Sequence, residues 1–260
     1  RRMSASQTSD WQDAVVVITG ASRGLGRAIA EGFGVRGATV VINYRSNEEA
    51  AAETVVAVEE SHPEAEALAV QADAADPDAI DYLFDRVDDE YGTIDVFVHN
   101  AAVTAFKPLD EVTAKDVALT YDLGVTGFLL ATQRALDLMD ENGCVVAVSG
   151  NDSHTYMPLH GLLASAKAAL ECLVRYLAVE QAERGIRVNA VNPGPLRKDN
   201  YYASVSDETA AAMKDLEARV PKGDTVPLDA VAESVALLAD PRNEWVTGEV
   251  LHVDGGLAAL

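Results

Sequence analysis

The chain is short of the residues that carry metal, redox and nucleic-acid chemistry. Its 260 residues include two cysteines, Cys144 and Cys172. Two are too few for a disulfide framework, and no Cys or His spacing resembles a zinc site, so no metal is expected. Each cysteine lies in an apolar context, Gly143-Cys144-Val145-Val146 and Leu170-Glu171-Cys172-Leu173, which predicts buried free thiols in a reducing, cytoplasmic setting. Basic residues are scarce: 20 Lys and Arg face 42 Asp and Glu, a formal charge of −22. Such a surface repels phosphate backbones and anionic bilayers, so neither nucleic acid nor membrane is an expected partner. The acidity suits a salt-rich cytoplasm or plain solubility alike. No apolar run reaches the roughly 18 residues of a spanning helix. Repeats, low-complexity runs and linkers are absent too, which predicts one domain over 13–260. The polar stretch 1–12 lacks an apolar signal core and reads as a flexible tail.

What is present is a 48% hydrophobic chain, long enough for a sizeable α/β core. It is organised around Val15-Val16-Val17-Ile18-Thr19-Gly20-Ala21-Ser22-Arg23-Gly24-Leu25-Gly26. Four β-branched residues in a row read as a buried parallel strand. Three glycines follow, and then Arg27 to Phe33 shows helical apolar spacing. Strand, glycine turn and helix make a phosphate cradle: glycine lets the backbone approach a pyrophosphate, and the helix N-terminus offers free N–H groups.

Further strands are expected at Gly37–Tyr44, Ala67–Asp73, Ile94–Ala102, Cys144–Ser149, Ile186–Val191 and Glu249–Asp254. Helices are expected at Glu48–Ser61, Asp76–Tyr91, Asp116–Met139, Leu159–Glu183, Val205–Arg219 and Leu228–Ala239, with Asp76 as N-cap and Pro77 at the first helical position. This alternation predicts a Rossmann-type, doubly wound, parallel seven-stranded sheet. The second strand ends in Arg45 and Ser46, where dinucleotide sites often place an acidic residue for a ribose hydroxyl. With Arg23 in the glycine loop, Arg45 suits a 2′-phosphate, because guanidinium groups bind phosphate bidentately. Asp73 and Ala74, ending the third strand, are placed to meet an adenine edge.

The sequence resembles the short-chain dehydrogenase/reductase family over essentially its whole length. Thr19 to Gly26 is similar to that family's cofactor loop. His99-Asn100-Ala101-Ala102 resembles its Asn-Asn-Ala-Gly motif with two substitutions. Asn189 to Pro195 resembles its Pro-Gly turn, and Val246-Thr247-Gly248-Glu249 with Val253-Asp254-Gly255-Gly256 its C-terminal signature. The resemblance implies NADP(H) held by Gly20, Ser22, Arg23, Leu25, Gly26, Arg45, Ser46, Asp73, Ala74, Asn100, Ala101, Ala102, Lys167, Pro193, Gly194 and Leu196. It also implies a homo-oligomer, dimer or tetramer, and a substrate-setting lid between Leu196 and Val220.

The catalytic residues depart from the family pattern. The family's Tyr-x3-Lys pairs Lys167 here with Leu163, which has no proton to give. The family's serine falls on Gly150 and its helix asparagine near Gly124. The stretches Tyr156 to His160, Arg175 to Glu180 and Gly194-Pro195-Leu196-Arg197 look most like the enoyl-thioester reductase branch. That branch uses Tyr-x6-Lys, and His160 occupies the tyrosine's place, with Tyr156 upstream. Reducing a conjugated C=C leaves an enolate, which needs a hydrogen-bond donor at its oxygen more than a strong acid. Lys167, Tyr156 and His160 are the catalytic candidates; the plainer alternatives are a packing tyrosine and a surface histidine. The expected function is NADPH-dependent reduction of a 2-enoyl thioester, small-molecule or carrier-bound. The alternatives are carbonyl reduction with a displaced donor, and a non-redox or NADP-sensing homologue.

Overall fold

In the computed structural model, residues 11–196 and 207–260 are described. Residues 1–10 of the expected tail, Arg197 and most of the expected lid's first half lie outside them. Seven parallel strands form one sheet in the order β3-β2-β1-β4-β5-β6-β7. They are β1 Val15–Ile18, β2 Thr39–Tyr44, β3 Glu66–Gln71, β4 Val96–His99, β5 Cys144–Val148, β6 Arg187–Pro193 and β7 Val250–Val253. The helices are α1 Gly24–Gly34, α2 Glu48–Glu59, α3 Pro77–Tyr91, α4 Ala114–Tyr121, α5 Gly127–Leu138, α6 Gly161–Glu180, α7 Asp207–Ala218 and α8 Leu228–Ala239.

Alternate strand residues serve opposite faces, as the pleat requires. Val16, Ile18, Val40, Ile42, Val98 and Val146 pack with Ile29 and Phe33 of α1, Val58 of α2, and Val231 and Val235 of α8. Val15, Val17, Val41, Phe97, Val145 and Val188 pack with Phe84 of α3, Phe128 of α5, and Leu170 and Val174 of α6. Both faces are covered, which is why the strands read as continuous apolar runs. β1 pairs with both β2 and β4, so the strand order reverses there. A crevice opens at the carboxyl ends of the strands at such a reversal.

Four features differ from the sequence reading. Trp11, placed in the tail, is buried and stacks edge-on against Phe33, ring centroids 5.3 Å apart, so the packed unit already includes it. The single helix expected over Asp116–Met139 runs unbroken from Ala114 to Leu138, with a π-helical turn at Asp122–Thr126 that divides it into α4 and α5. Just past that turn the helix passes close to the loop after β3: a Cβ at Gly127 would stand 2.2 Å from the Ala74 carbonyl oxygen. The helix expected from Leu159 begins at Gly161, because Leu159 has a positive φ of 64°. Cys172 is exposed; it lies on the outer side of α6, whose buried stripe runs through Leu170, Glu171 and Val174. Cys144 is buried as expected.

Candidate active site

The first half of the crevice is a backbone construction. Gly20 has a φ of +64° and Gly24 of +58°, conformations that suit glycine. At Gly26 a Cβ would stand 2.3 Å from the Gly20 carbonyl oxygen and 2.6 Å from the Asn100 amide nitrogen. At Gly24 a Cβ would meet nothing within 4 Å, so the loop faces open space at the α1 N-terminus. No side chain caps that terminus, leaving its N–H groups and dipole for an anion. Asn100 laces the loop shut, donating from Nδ2 to the carbonyls of Thr19 (3.0 Å) and Gly20 (3.1 Å). Thr19 Oγ1 accepts from the backbone N–H groups of Asn100 and Ala101. Open space, free N–H groups and glycines that tolerate no side chain fit a dinucleotide pyrophosphate.

Two residues to which the sequence reading gave no role of their own complete this half, Thr19 and Asn43. Buried Asn43 accepts from Gly20 N at 3.3 Å and donates to the Ala72 carbonyl at 2.9 Å, joining the ends of β1, β2 and β3. The only sequence signal was an amide inside an apolar strand. Arg23, Arg45 and Ser46 are exposed, and neither guanidinium makes an ion pair among the described residues. Leu25 and Ser22 are half-buried. The Asp73 carboxylate is turned into its own loop, accepting from Ala75 N at 3.1 Å. Ala74 is buried, and Ala102 is exposed beside half-buried Ala101. His99 faces the core between Phe97 and Phe128. Burial, reinforced by the Lys167 charge, holds its imidazole down to about 3, so it is a neutral core ring. The substitution at that motif position therefore leaves the cradle intact.

The second half of the crevice lies between β5 and α6. Lys167 is 5% exposed and donates from Nζ to the Val148 carbonyl at 2.6 Å. Burial pulls its ammonium down to about 8, opposed by the charges of Asp152 and Glu171. An inner pocket of about 160 Å³ lies beside it, with apolar walls from Phe106, Met157, Leu163, Pro193, Pro195 and Leu196. Its polar side is Ser149, Gly150, Asn151, Asp152 and His160, and Gly194 and Glu217 complete it. Leu163 thus lines the wall one helical turn before Lys167. Gly150 is open for a reason: a Cβ there would stand 2.6 Å from Oδ1 of Asp152 and 4.0 Å from Cγ of Lys167. The Asp152 carboxyl fills the space that a side chain at Gly150 would need. Gly124, in the π-helical turn, offers no side chain but packs near Ala166.

Of the three catalytic candidates, Lys167 and His160 are buried at this crevice and Tyr156 is not. His160 packs against Phe106, ring centroids 4.7 Å apart, with its Nδ1 2.8 Å from the Pro158 carbonyl oxygen. A carbonyl only accepts, so it is Nδ1 that carries a proton toward Pro158. Tyr156 is 84% exposed, on the rim of an outer cavity of about 620 Å³ that also includes Asp152, His154, Met157 and Leu109.

Beneath the pocket, Glu171 gathers a network that the sequence did not announce. Its carboxylate accepts from Ser149 Oγ (2.5 Å), Ser153 Oγ (2.8 Å) and Asn192 Nδ2 (3.0 Å), and His154 Nε2 lies 2.8 Å away. These bonds fix the 149–154 loop to α6 and β6. The signature residues behind them are structural. Asn189 bonds the backbone of Val246 and Glu249, and Asp254 accepts from Gly256 N and Ala258 N.

The model of a family described as enoyl-(acyl carrier protein) reductase matches residues 20–258. A 1-cyclohexenylcarbonyl-CoA reductase of Streptomyces collinus is 38% identical over 254 residues, spanning 98% of this chain and 90% of that protein. A 3β-hydroxysteroid dehydrogenase of Eggerthella lenta is 37% identical, spanning 95% of each. The crystal structure of a short-chain dehydrogenase from Burkholderia cenocepacia in complex with NADP superimposes with a TM-score of 0.88 at 31% identity, covering 96% of this chain and 99% of that one. Fold, cradle and comparisons agree: the chain belongs to the short-chain dehydrogenase/reductase family of oxidoreductases.

Proposed function

We propose that this protein uses NADPH to reduce the C=C bond of a 2-enoyl thioester. The observation that carries the reading is Leu163 in the pocket wall, one turn before Lys167. A ketone reduced to an alcohol needs a proton on the oxygen that loses its double bond, and the position where the family keeps that acid is apolar here. An enoyl thioester needs no proton kept on its oxygen: the enolate is stabilised there and regains its carbonyl when Cα is protonated. The Streptomyces relative, named as a CoA reductase, supports this reading. The Eggerthella relative, named as a hydroxysteroid dehydrogenase, favours carbonyl reduction as the second reading.

Bound in the crevice, the reduced cofactor supplies the hydride. Gly20, Ser22, Leu25 and Gly26 hold its pyrophosphate through the backbone, and Arg23, Arg45 and Ser46 take the 2′-phosphate. Asp73 and Ala74 border the adenine. Asn100, Ala101, Ala102, Pro193, Gly194 and Leu196 shape the nicotinamide end, where Lys167 holds the ribose hydroxyls. His160 and Phe106 wall the acyl group, and Tyr156 on the outer rim meets the thiol-bearing arm of a CoA or carrier-protein substrate. The enzyme works as a cytoplasmic homo-oligomer. No helix among the described residues is long and apolar enough to cross a membrane.

Stopped-flow oxidation of NADPH against crotonyl-type thioesters and simple ketones tests the reading. Faster turnover on the thioester, with a saturated thioester as product, is expected. Turnover on ketones alone rejects it in favour of carbonyl reduction, and binding of NADPH without turnover on either rejects both.

A further inference from the structure

The family's tyrosine and serine are missing, yet the pocket is not bare of donors. Two consecutive residues, Asn151 and Asp152, line its polar side, and both are buried. Asn151 is 4% exposed, and neither its Nδ2 nor its Oδ1 has a hydrogen-bond partner among the described residues. A buried amide without partners costs free energy unless something else fills the role. Asp152 is 8% exposed and its carboxyl occupies the space left free at Gly150, beside the Lys167 side chain.

We propose that Asn151 and Asp152 are the catalytic donor pair of this enzyme, with the Asn151 amide bonding the thioester oxygen and the Asp152 carboxyl giving the proton. The inference rests on the enoyl-thioester reading above. Hydride arrives at Cβ with its two electrons, the C=C electrons shift toward the thioester carbonyl, and an enolate forms whose oxygen the Asn151 N–H groups stabilise. The O–H bond of Asp152 then breaks, leaving its electrons on the carboxylate. The proton forms the new C–H bond at Cα as the carbonyl returns. Asp152 also lines the outer cavity, so its carboxylate regains a proton from solvent on that side. His160 Nδ1 is taken up by the Pro158 carbonyl oxygen, 2.8 Å away, which turns that nitrogen from the substrate.

The electrostatic setting is consistent with a proton-bearing carboxyl. Burial raises the Asp152 pKa above its ordinary value, and the facing Glu171 adds to this, while His160 and Lys167 lower it. Glu217, across the inner pocket, and Lys107, His154 and Tyr156, on the outer cavity, are the other titratable side chains lining these spaces. The acid form is required, so activity falls as pH rises through the carboxyl's own pKa. Loss of the Lys167 charge, near pH 8, is a separate fall.

The test uses the full chain and two readouts. Infrared difference spectra of the cofactor-free protein, titrated across pH, are expected to show a protonated-carboxyl stretch that disappears on raising pH and is absent in Asp152→Asn. In crotonyl-thioester assays, Asp152→Asn should lower kcat by about a hundredfold to ten-thousandfold, the range of a lost general acid, with NADPH affinity unchanged by fluorescence titration. Asn151→Ala should lower kcat about tenfold to a thousandfold, again with NADPH affinity retained. Should Asp152→Asn not fold, Asp152→Glu is expected to shift the infrared band and slow turnover. A carboxyl band indifferent to changes at 152, or wild-type kcat in the Asp152 variant, overturns the proposal. A wild-type protein that reduces ketones but not thioesters rejects the enoyl reading instead, while the infrared titration still reports on Asp152.

Discussion

The two halves of the crevice are built in opposite ways. Around Gly20, Gly24 and Gly26 the groups left free are backbone N–H donors, and the side chains of Thr19, Asn43 and Asn100 hold the chain in place. Around Lys167 the working groups are side chains brought together from a loop and a helix. A backbone site depends on where glycine stands, so its sequence pattern is tightly constrained. A side-chain site depends on which groups converge, and the same space can be filled from different positions. Here Gly150 gives up its side chain, and Asp152 enters from two residues later.

That contrast can be broken at four points, from the largest effect to the smallest. Lys167→Ala should abolish turnover on any substrate and weaken NADPH binding, with circular dichroism unchanged. In the wild type, turnover should also decline as pH rises through about 8, where the buried ammonium loses its charge. A variant with unaltered affinity and rate would remove Lys167 from the site. Gly26→Ala should remove measurable cofactor binding, since its Cβ would stand 2.3 Å from a backbone oxygen that cannot swing away. Isothermal titration with NADPH reads this directly, and wild-type affinity would show that the cradle tolerates a side chain.

Arg45→Ala should cost about 1–3 kcal/mol of NADPH affinity, the worth of a charge-assisted hydrogen bond, and leave NADH untouched. Equal losses for both cofactors would detach Arg45 from the 2′-phosphate. Tyr156→Ala should be mildest. An exposed contact worth about 0.5–1.5 kcal/mol raises KM for the thioester roughly twofold to tenfold, with kcat unchanged. A large fall in kcat would instead bring Tyr156 to the reacting oxygen.

The legibility of the sequence followed the same division. Sheet, helix order and cradle were readable, because Val15 to Ile18 and the glycines after them report local backbone requirements. Lys167 was readable through the family resemblance, whose tyrosine position falls on Leu163. Asn151 and Asp152 were not, because nothing in Gly-Asn-Asp-Ser distinguishes a pocket wall from a polar turn until the fold shows what is buried. Glu171 was hidden likewise: a carboxylate in an amphipathic helix reads as solvent-facing, and only the convergence of Ser149, Ser153 and Asn192 reveals its buried role. The π-helical turn at Asp122–Thr126 escaped as well, since the apolar spacing continues through it.

The two thiols differ in a way that gives experimenters a handle. Cys144 sits inside β5, and burial pushes its thiol up to about 11, where it resists alkylation. Cys172 is exposed on α6, the helix that carries Lys167. A maleimide dye should therefore attach at one point without any mutagenesis, on the helix that borders the proposed site. Its emission would report ligand binding, and its accessibility on dilution would reveal whether another subunit covers that face of the helix.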